Sequence, residues 1–225
     1  MADAGPALGQ IAEKALEWVS DGQTIGLGTG RAAEQFVRAL GERVAAGLSV
    51  RAVPTSDATE ALAADLSIPL VTLAEAGSLD VTFDGADEFT PARDLVKGWG
   101  GALVREKIVA ASSRKLVILV GPEKKVACLG ERGKLPVEIV PFGRALCERQ
   151  LEAMHCRPGL RSTDAGPYLT DNGNFILDCA IDPVENPNSL EEEILRIPGV
   201  VGTGFFLGMA DAVLCQSEDG VEVYS

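Results

Sequence analysis

The sequence predicts an α/β chain with a parallel sheet flanked by helices, joined to a smaller α+β domain. Over roughly the first 130 residues, short apolar runs of strand length alternate with segments of helical spacing across short links. After about Leu129 the order changes to strand, helix, strand, strand, helix. The chain has 225 residues, 46% of them hydrophobic, enough for one large domain or two small ones.

Taken in order, residues 7–19 place Ile11, Ala15, Leu16 and Val19 at helical spacing, ending near Asp21-Gly22. Residues 24–27 read as a short buried strand. After a glycine-rich turn, Phe36, Val37, Leu40 and Val44 mark one face of a helix. A strand over 48–53 leads to Ser56 or Asp57, either suited to cap a helix through Leu66. Strands are expected at 69–73 and 79–83, a helix at 102–112 and a clear strand at 115–120. Beyond Leu129, a strand at 137–140 precedes a helix at 143–154. Tyr168-Leu169 and residues 174–177 read as a hairpin closed by Thr170-Asp171-Asn172-Gly173, since Asn-Gly favours tight turns. A helix at 189–195 takes Ser189 as cap with acids in its first turn, and strands at 212–215 and 220–223 finish the chain.

Acidic residues outnumber basic ones 33 to 20, giving a formal charge of −13 and a pI near 4.5. That field disfavours nucleic acid and anionic membranes as partners. A small anionic substrate is still possible, because a few local cations and backbone N–H groups override the global sign. No apolar run reaches the roughly 18–20 residues of a membrane span. Met1 to Pro6 show no secretion signal, so a cytoplasmic location is expected. Cys128, Cys147, Cys156, Cys179 and Cys215 form no CxxC and read as reduced and mostly buried. The lone His155 excludes multi-histidine metal sites and reads as structural. Trp18 reads as a packing residue, and Glu191-Glu192-Glu193 as a solvated helical turn.

Three segments carry candidate chemistry. Gly26-Leu27-Gly28-Thr29-Gly30-Arg31 follows a strand and opens a helix, where glycines bring backbone N–H groups against an anion at the positive helix end. Arg31 stands where the dinucleotide fingerprint needs glycine, and no GK[ST] follows, so neither that motif nor a P-loop fits. A phosphate-sized anion site fits better than a bare tight turn, and Arg31 adds a fork of donors. Asp84-Gly85-Ala86-Asp87-Glu88 ends a buried strand, where open α/β sheets bind ligands. Three carboxylates so close repel one another unless water, a metal or basic partners relieve them; a bare helix cap is the bland alternative. Lys97-Gly98-Trp99-Gly100-Gly101 leads into a helix bearing Arg105-Glu106-Lys107, and reads equally as a ligand loop or a flexible connector. Together these parts suit proton transfer beside the carbonyl of a phosphorylated substrate, with a carboxylate as base and a lysine steadying an enediolate.

Those segments, with Thr55-Ser56-Asp57, Leu135-Pro136-Val137-Glu138, Thr170 to Asn174 and Ile197-Pro198-Gly199-Val200-Val201, resemble type A ribose-5-phosphate isomerase in order and spacing. The resemblance runs from about residue 10 to 223, and its DGADE and KGxG…REK pair is highly specific. It implies a Rossmann-like catalytic domain over 1–132 plus 206–225 and a smaller ferredoxin-like α+β domain over 133–205 for oligomerisation. It further implies interconversion of D-ribose 5-phosphate and D-ribulose 5-phosphate in the pentose phosphate pathway, with no cofactor and no metal, by a homodimer or homotetramer. By position, Glu106 is the implied base, Asp84 and Asp87 assist ring opening and proton movement, and Lys97 steadies the cis-enediolate. Substrate contacts are implied for Gly28, Thr29, Gly30, Arg31, Ala32, Gly85, Ala86, Gly98, Trp99, Gly100 and, by spacing from Leu135, Arg132.

The chain departs from the family pattern at Arg31 and Ala32, where Ser and Thr hydroxyls usually hold phosphate. An N-terminal lysine of some members has no counterpart near Leu8 and Gly9. We expect Arg31 to supply the missing charge, and Trp99, glycine in many members, to wall the site or pack beneath its loop. A non-catalytic phosphosugar sensor would need a DNA-binding domain, for which only about ten residues precede the first helix. An amino-sugar phosphate isomerase–deaminase would need histidines the chain lacks, and a coenzyme A transferase a glutamate nucleophile with coenzyme A binding.

Overall fold

The computed structural model describes residues 7–217 and 220–225; the reading of Met1 to Pro6 lies outside them. In chain order the elements begin with α1 (Ala7–Leu16), β1 (Thr24–Leu27), α2 (Arg31–Ala45), β2 (Arg51–Pro54), α3 (Asp57–Asp65) and α4 (Leu73–Ala76). Next come β3 (Val81–Asp84), β4 (Glu88–Phe89), β5 (Leu95–Val96), α5 (Leu103–Ala111), β6 (Leu116–Val120), β7 (Lys134–Ile139) and α6 (Arg144–Ala153). The remainder is β8 (Arg157–Leu160), β9 (Ser162–Thr163), β10 (Gly166–Pro167), β11 (Phe175–Ala180), α7 (Pro187–Leu195), β12 (Val200–Thr203), β13 (Phe205–Phe206), β14 (Ala212–Ser217) and β15 (Gly220–Tyr224). No helix among the described residues is long and apolar enough to cross a membrane.

The first compact unit comprises Met1–Ala86, Arg105–Lys124 and Met209–Ser225. Its sheet runs β15-β14-β6-β3-β1-β2, parallel except for β15, which pairs antiparallel with β14. Strands β1, β3 and β6 are buried along their whole length, as apolar strands covered on both faces must be. Phe36 of α2 stacks on Phe83 of β3 with ring centroids 4.2 Å apart, within a core that also gathers Ile11, Ile25, Leu40 and Leu119. Because the strands are parallel, Leu27, Pro54 and Asp84 end at one edge, which is where the sequence placed its ligand segments.

The second unit comprises Asp87–Val104 and Lys125–Gly208. An antiparallel sheet of order β12-β7-β11-β8, with α6 and α7 as its connecting helices, gives the ferredoxin-like layout. Its core holds Leu135, Val137, Ile139, Leu151, Leu177 and Ile194. A three-stranded sheet of order β13-β5-β4 and a two-stranded sheet, β10-β9, complete the unit.

Several expectations shift. The division expected at 132/133 and 205/206 differs from the observed units: residues 87–104, 125–132 and 206–208 belong to the second. There, Leu95 and Val96 pair with Phe206 and Phe205, and Phe89 bridges Lys125. Residues 69–73 form no strand beyond a single bridge from Leu70 to Ala52. The Thr72 hydroxyl accepts from the Glu75 N–H at 3.2 Å, and the Glu75 carboxylate accepts from the Thr72 N–H at 2.8 Å. This reciprocal cap turns the chain into α4. Tyr168-Leu169 is no hairpin strand, because β7 and β8 occupy both sides of β11. The turn itself forms, with the Gly173 N–H donating to Thr170 at 2.8 Å. Helix α7 starts at Pro187, not Ser189: Asn186 is the cap, accepting from the Ser189 N–H, and proline supplies the preset first position. Ser56 does cap α3, accepting from the Thr59 N–H at 3.1 Å. Cys147, Cys156, Cys179 and Cys215 are buried free thiols, and Cys128 is partly exposed.

Candidate active site

In the first unit, the carboxyl ends of β1 and β3 bring the glycine loop onto Asp84. The Asp84 side chain, 1% exposed, accepts from the Gly85 N–H at 2.7 Å and the Thr29 N–H at 3.1 Å. A Cβ at Gly28 would fall inside that carboxylate, so the glycine is what lets the loop close. The Thr29 hydroxyl sits 2.8 Å from those of both Thr55 and Ser56, and the Thr59 hydroxyl donates to the Gly28 carbonyl at 3.0 Å. Through this hydroxyl cluster Thr55 and Ser56, part of the family pattern, tie the loop to the start of α3. Helix α2 then begins at Arg31 with Gly30 as a cap that offers no side-chain acceptor. Its first N–H groups are therefore suited to an anion, and Arg31 is exposed beside them.

Glu106 lies in the first turn of α5 and is 4% exposed. The neighbouring Arg105 is anchored at 2.7 Å to Asp57, the first residue of α3. Burial of a carboxylate is costly unless its surroundings or its chemistry require it, which singles out Glu106 and Asp84 within this unit. Lys124, which the sequence analysis did not single out, ends a short 3-10 turn, Pro122–Lys124, directly after β6, and is half-buried just past the carboxyl end of that strand.

The second unit holds the other candidates. The Asp87 carboxylate accepts from the Trp99 N–H at 2.9 Å, and its carbonyl accepts from Arg132 Nη1 at 2.7 Å. The Lys97 side chain is buried, its Nζ 5.5 Å from the Phe206 ring centroid, while its N–H donates to Gly204 at 2.8 Å. The Trp99 ring packs against Arg132 and Lys134, with centroid distances of 4.8 and 4.5 Å, and its Nε1 donates to the Lys134 carbonyl at 3.3 Å.

Glu88, the third acid of the cluster, is fully buried and accepts from the Gly130 N–H at 2.6 Å and the Arg132 N–H at 2.7 Å. Two backbone amides thus face the Glu88 carboxylate. Burial pushes the Glu88 carboxyl above its usual range, against the opposing pull of the Gly130 and Arg132 N–H groups. In the window above the unfolded value, the folded state then holds more protons, so this group's stabilisation falls as pH rises through it. Glu88→Gln removes that slope and strands one backbone N–H against an amide donor, costing about 1–3 kcal/mol. Urea midpoints measured across that pH range check both effects.

An open α/β sheet with a buried carboxylate and a side-chain-free helix start at its carboxyl edge places the chain among ligand-handling α/β proteins. The sequence model of the family described as Ribose 5-phosphate isomerase A (phosphoriboisomerase A) matches residues 51–220. A relative from Roseiflexus castenholzii, named Ribose-5-phosphate isomerase A, is 48% identical over 215 residues, 94% of this chain and 92% of its own. The solved ribose 5-phosphate isomerase A from Methanocaldococcus jannaschii is 40% identical, with a TM-score of 0.92 over 96% of this chain and 97% of its own. A D-ribose-5-phosphate isomerase solved in complex with phospho-erythronic acid is 34% identical, with a TM-score of 0.93 over 96% of both chains. The chain belongs to the ribose 5-phosphate isomerase A family.

Proposed function

We propose that the chain interconverts D-ribose 5-phosphate and D-ribulose 5-phosphate through a cis-enediolate, as an aldose–ketose isomerase of the non-oxidative pentose phosphate pathway. Family membership supports the reaction. The structural observation that carries it is the first unit's pairing of two buried carboxylates, Asp84 and Glu106, with the uncapped start of α2. Glu106 takes the C2 proton of the open-chain aldose, and the electron pair left behind forms the C1–C2 double bond as O1 becomes an alkoxide. Lys97 and loop N–H groups stabilise that oxygen. Asp84 and Asp87 move protons among the sugar oxygens and assist ring opening. Glu106 then returns its proton to C1 as the O2 proton leaves and the C2 carbonyl forms. The phosphate lies against Gly28, Thr29, Gly30, Arg31 and Ala32, and the sugar meets Gly85, Ala86, Gly98, Trp99, Gly100 and Arg132.

Neither a metal nor an organic cofactor enters this scheme. Purified, EDTA-treated protein is expected to form ribulose 5-phosphate from ribose 5-phosphate; absence of turnover contradicts the reading. Arg31 acts on a group that does not change in the reaction, so Arg31→Ala should raise KM much more than it lowers kcat. An unchanged KM would remove Arg31 from the phosphate site. A cytoplasmic location and self-association into a dimer or tetramer complete the proposal. In support of self-association, the second unit exposes Val140, Phe142 and Val201 where the Val140 N–H bonds the Gly199 carbonyl beside β12.

A further inference from the structure

We propose that Arg161, backed by Asp178, is a positioning residue that sets the peptide planes of the Lys97-Gly98-Trp99-Gly100 loop. The inference rests on the assignment of that loop to the isomerase reaction. Arg161 follows β8 and Asp178 lies on β11, so both rise from the second unit's own sheet. Arg161 Nη1 donates to the carbonyls of Gly98 and Trp99, each at 3.1 Å. Its Nε and Nη2 donate to the two Asp178 oxygens at 2.9 and 2.5 Å. The side chains are 13% and 23% exposed, so the charge is largely withdrawn from water and the bidentate carboxylate holds it in place.

The consequence follows from the planarity of the peptide bond, whose carbonyl and N–H point in opposite directions. The peptide joining Gly98 to Trp99 is gripped on both sides: Arg161 holds its carbonyl, and Asp87 accepts from its N–H at 2.9 Å. Arg161 therefore acts on Asp87 through one rigid plane. Holding the Trp99 carbonyl likewise turns the next N–H, that of Gly100, away from Arg161. A cation on each carbonyl also polarises the peptide and strengthens its N–H as a donor. Tyr168 supports the same loop, its hydroxyl standing where a Cβ of Gly101 would be, with Arg161 5.8 Å from its ring centroid. A lysine in place of Arg161 cannot bridge two carbonyls and a carboxylate at once.

The test compares Arg161→Lys and Asp178→Asn with wild type in kcat, KM for ribose 5-phosphate, competitive inhibition by inorganic phosphate, and urea midpoint. Arg157→Ala, which removes an exposed pair with Asp182 at 3.4 Å, is the control expected to leave kcat unchanged. Misplacing reacting groups by an ångström costs roughly 100-fold, so Arg161→Lys should lose about that much kcat while KM and phosphate inhibition stay near wild type. Asp178→Asn should lose less, and methylguanidinium should partly restore kcat in Arg161→Ala. Unchanged kcat in both variants overturns the proposal. So does a loss of kcat that only tracks falling urea midpoints without rescue, which marks a structural role. Should Arg161→Lys fail to fold, Asp178→Asn decides by the same criteria. A wild-type protein without turnover refutes the isomerase reading itself, and this inference with it.

Discussion

Glu106→Gln should fold normally and lose about 10²–10⁴-fold in kcat, the range over which a positioned general base acts. The substitution keeps the shape of a side chain that is only 4% exposed, so packing in the first turn of α5 is preserved. What goes is the carboxylate that, in the proposed scheme, accepts the sugar's C–H proton. Glutamine also gives up the attraction between an acid and the helix N-terminus, worth about 0.3–1 kcal/mol, so the urea midpoint should move only slightly. KM should change little if, as proposed, Glu106 acts in the transition state while the phosphate site holds the ground state. Steady-state kinetics with ribose 5-phosphate measure the effect. Near-normal turnover would refute the assignment of the base.

Lys97→Met carries the second largest expected effect. A buried ammonium supplies charge stabilisation that a thioether of similar length does not, and losing a single preorganised oxyanion donor costs about 10²–10³-fold in kcat. The loop should keep its course, because its backbone is held independently by the Lys97 N–H bond to Gly204 and by the Trp99 N–H bond to Asp87. Circular dichroism should therefore match wild type while kcat falls. A variant retaining most of its kcat would move enediolate stabilisation to the backbone N–H groups alone.

Much of the first unit was legible because its signals are local. Apolar runs such as 115–120 have one stable use in a chain of this composition, and Gly28 beside Asp84 is dictated by the room a carboxylate needs. The capping hydroxyl of Ser56 could be read from its place before a helical run. The second unit was harder because long-range pairings define it. Two-residue strands such as β4, β5 and β13 leave no periodicity to read and exist only because Leu95 and Val96 meet Phe206 and Phe205. The partners of Glu88 lie more than forty residues away, at Gly130 and Arg132, and are backbone groups with no side-chain signature. Nothing local ties Arg161 to Asp178 or to the Gly98 and Trp99 carbonyls, so the sequence around it carries no sign of that network. The Thr170–Asn174 turn read as a hairpin closure, yet it places the Thr170 hydroxyl and the Asn172 and Asn174 amides on the buried Glu138 carboxylate at 2.9–3.2 Å.

The most direct test of proton transfer by Glu106 through an enediolate is deuterium entry at C2 of ribose 5-phosphate. The sugar would be held at equilibrium with EDTA-treated enzyme in heavy water and followed by NMR over many turnovers. The account predicts that deuterium accumulates at C2 of the aldose and C1 of the ketose with wild-type protein and hardly at all with Glu106→Gln. Equilibration of the two sugars with no deuterium entering either carbon would contradict it.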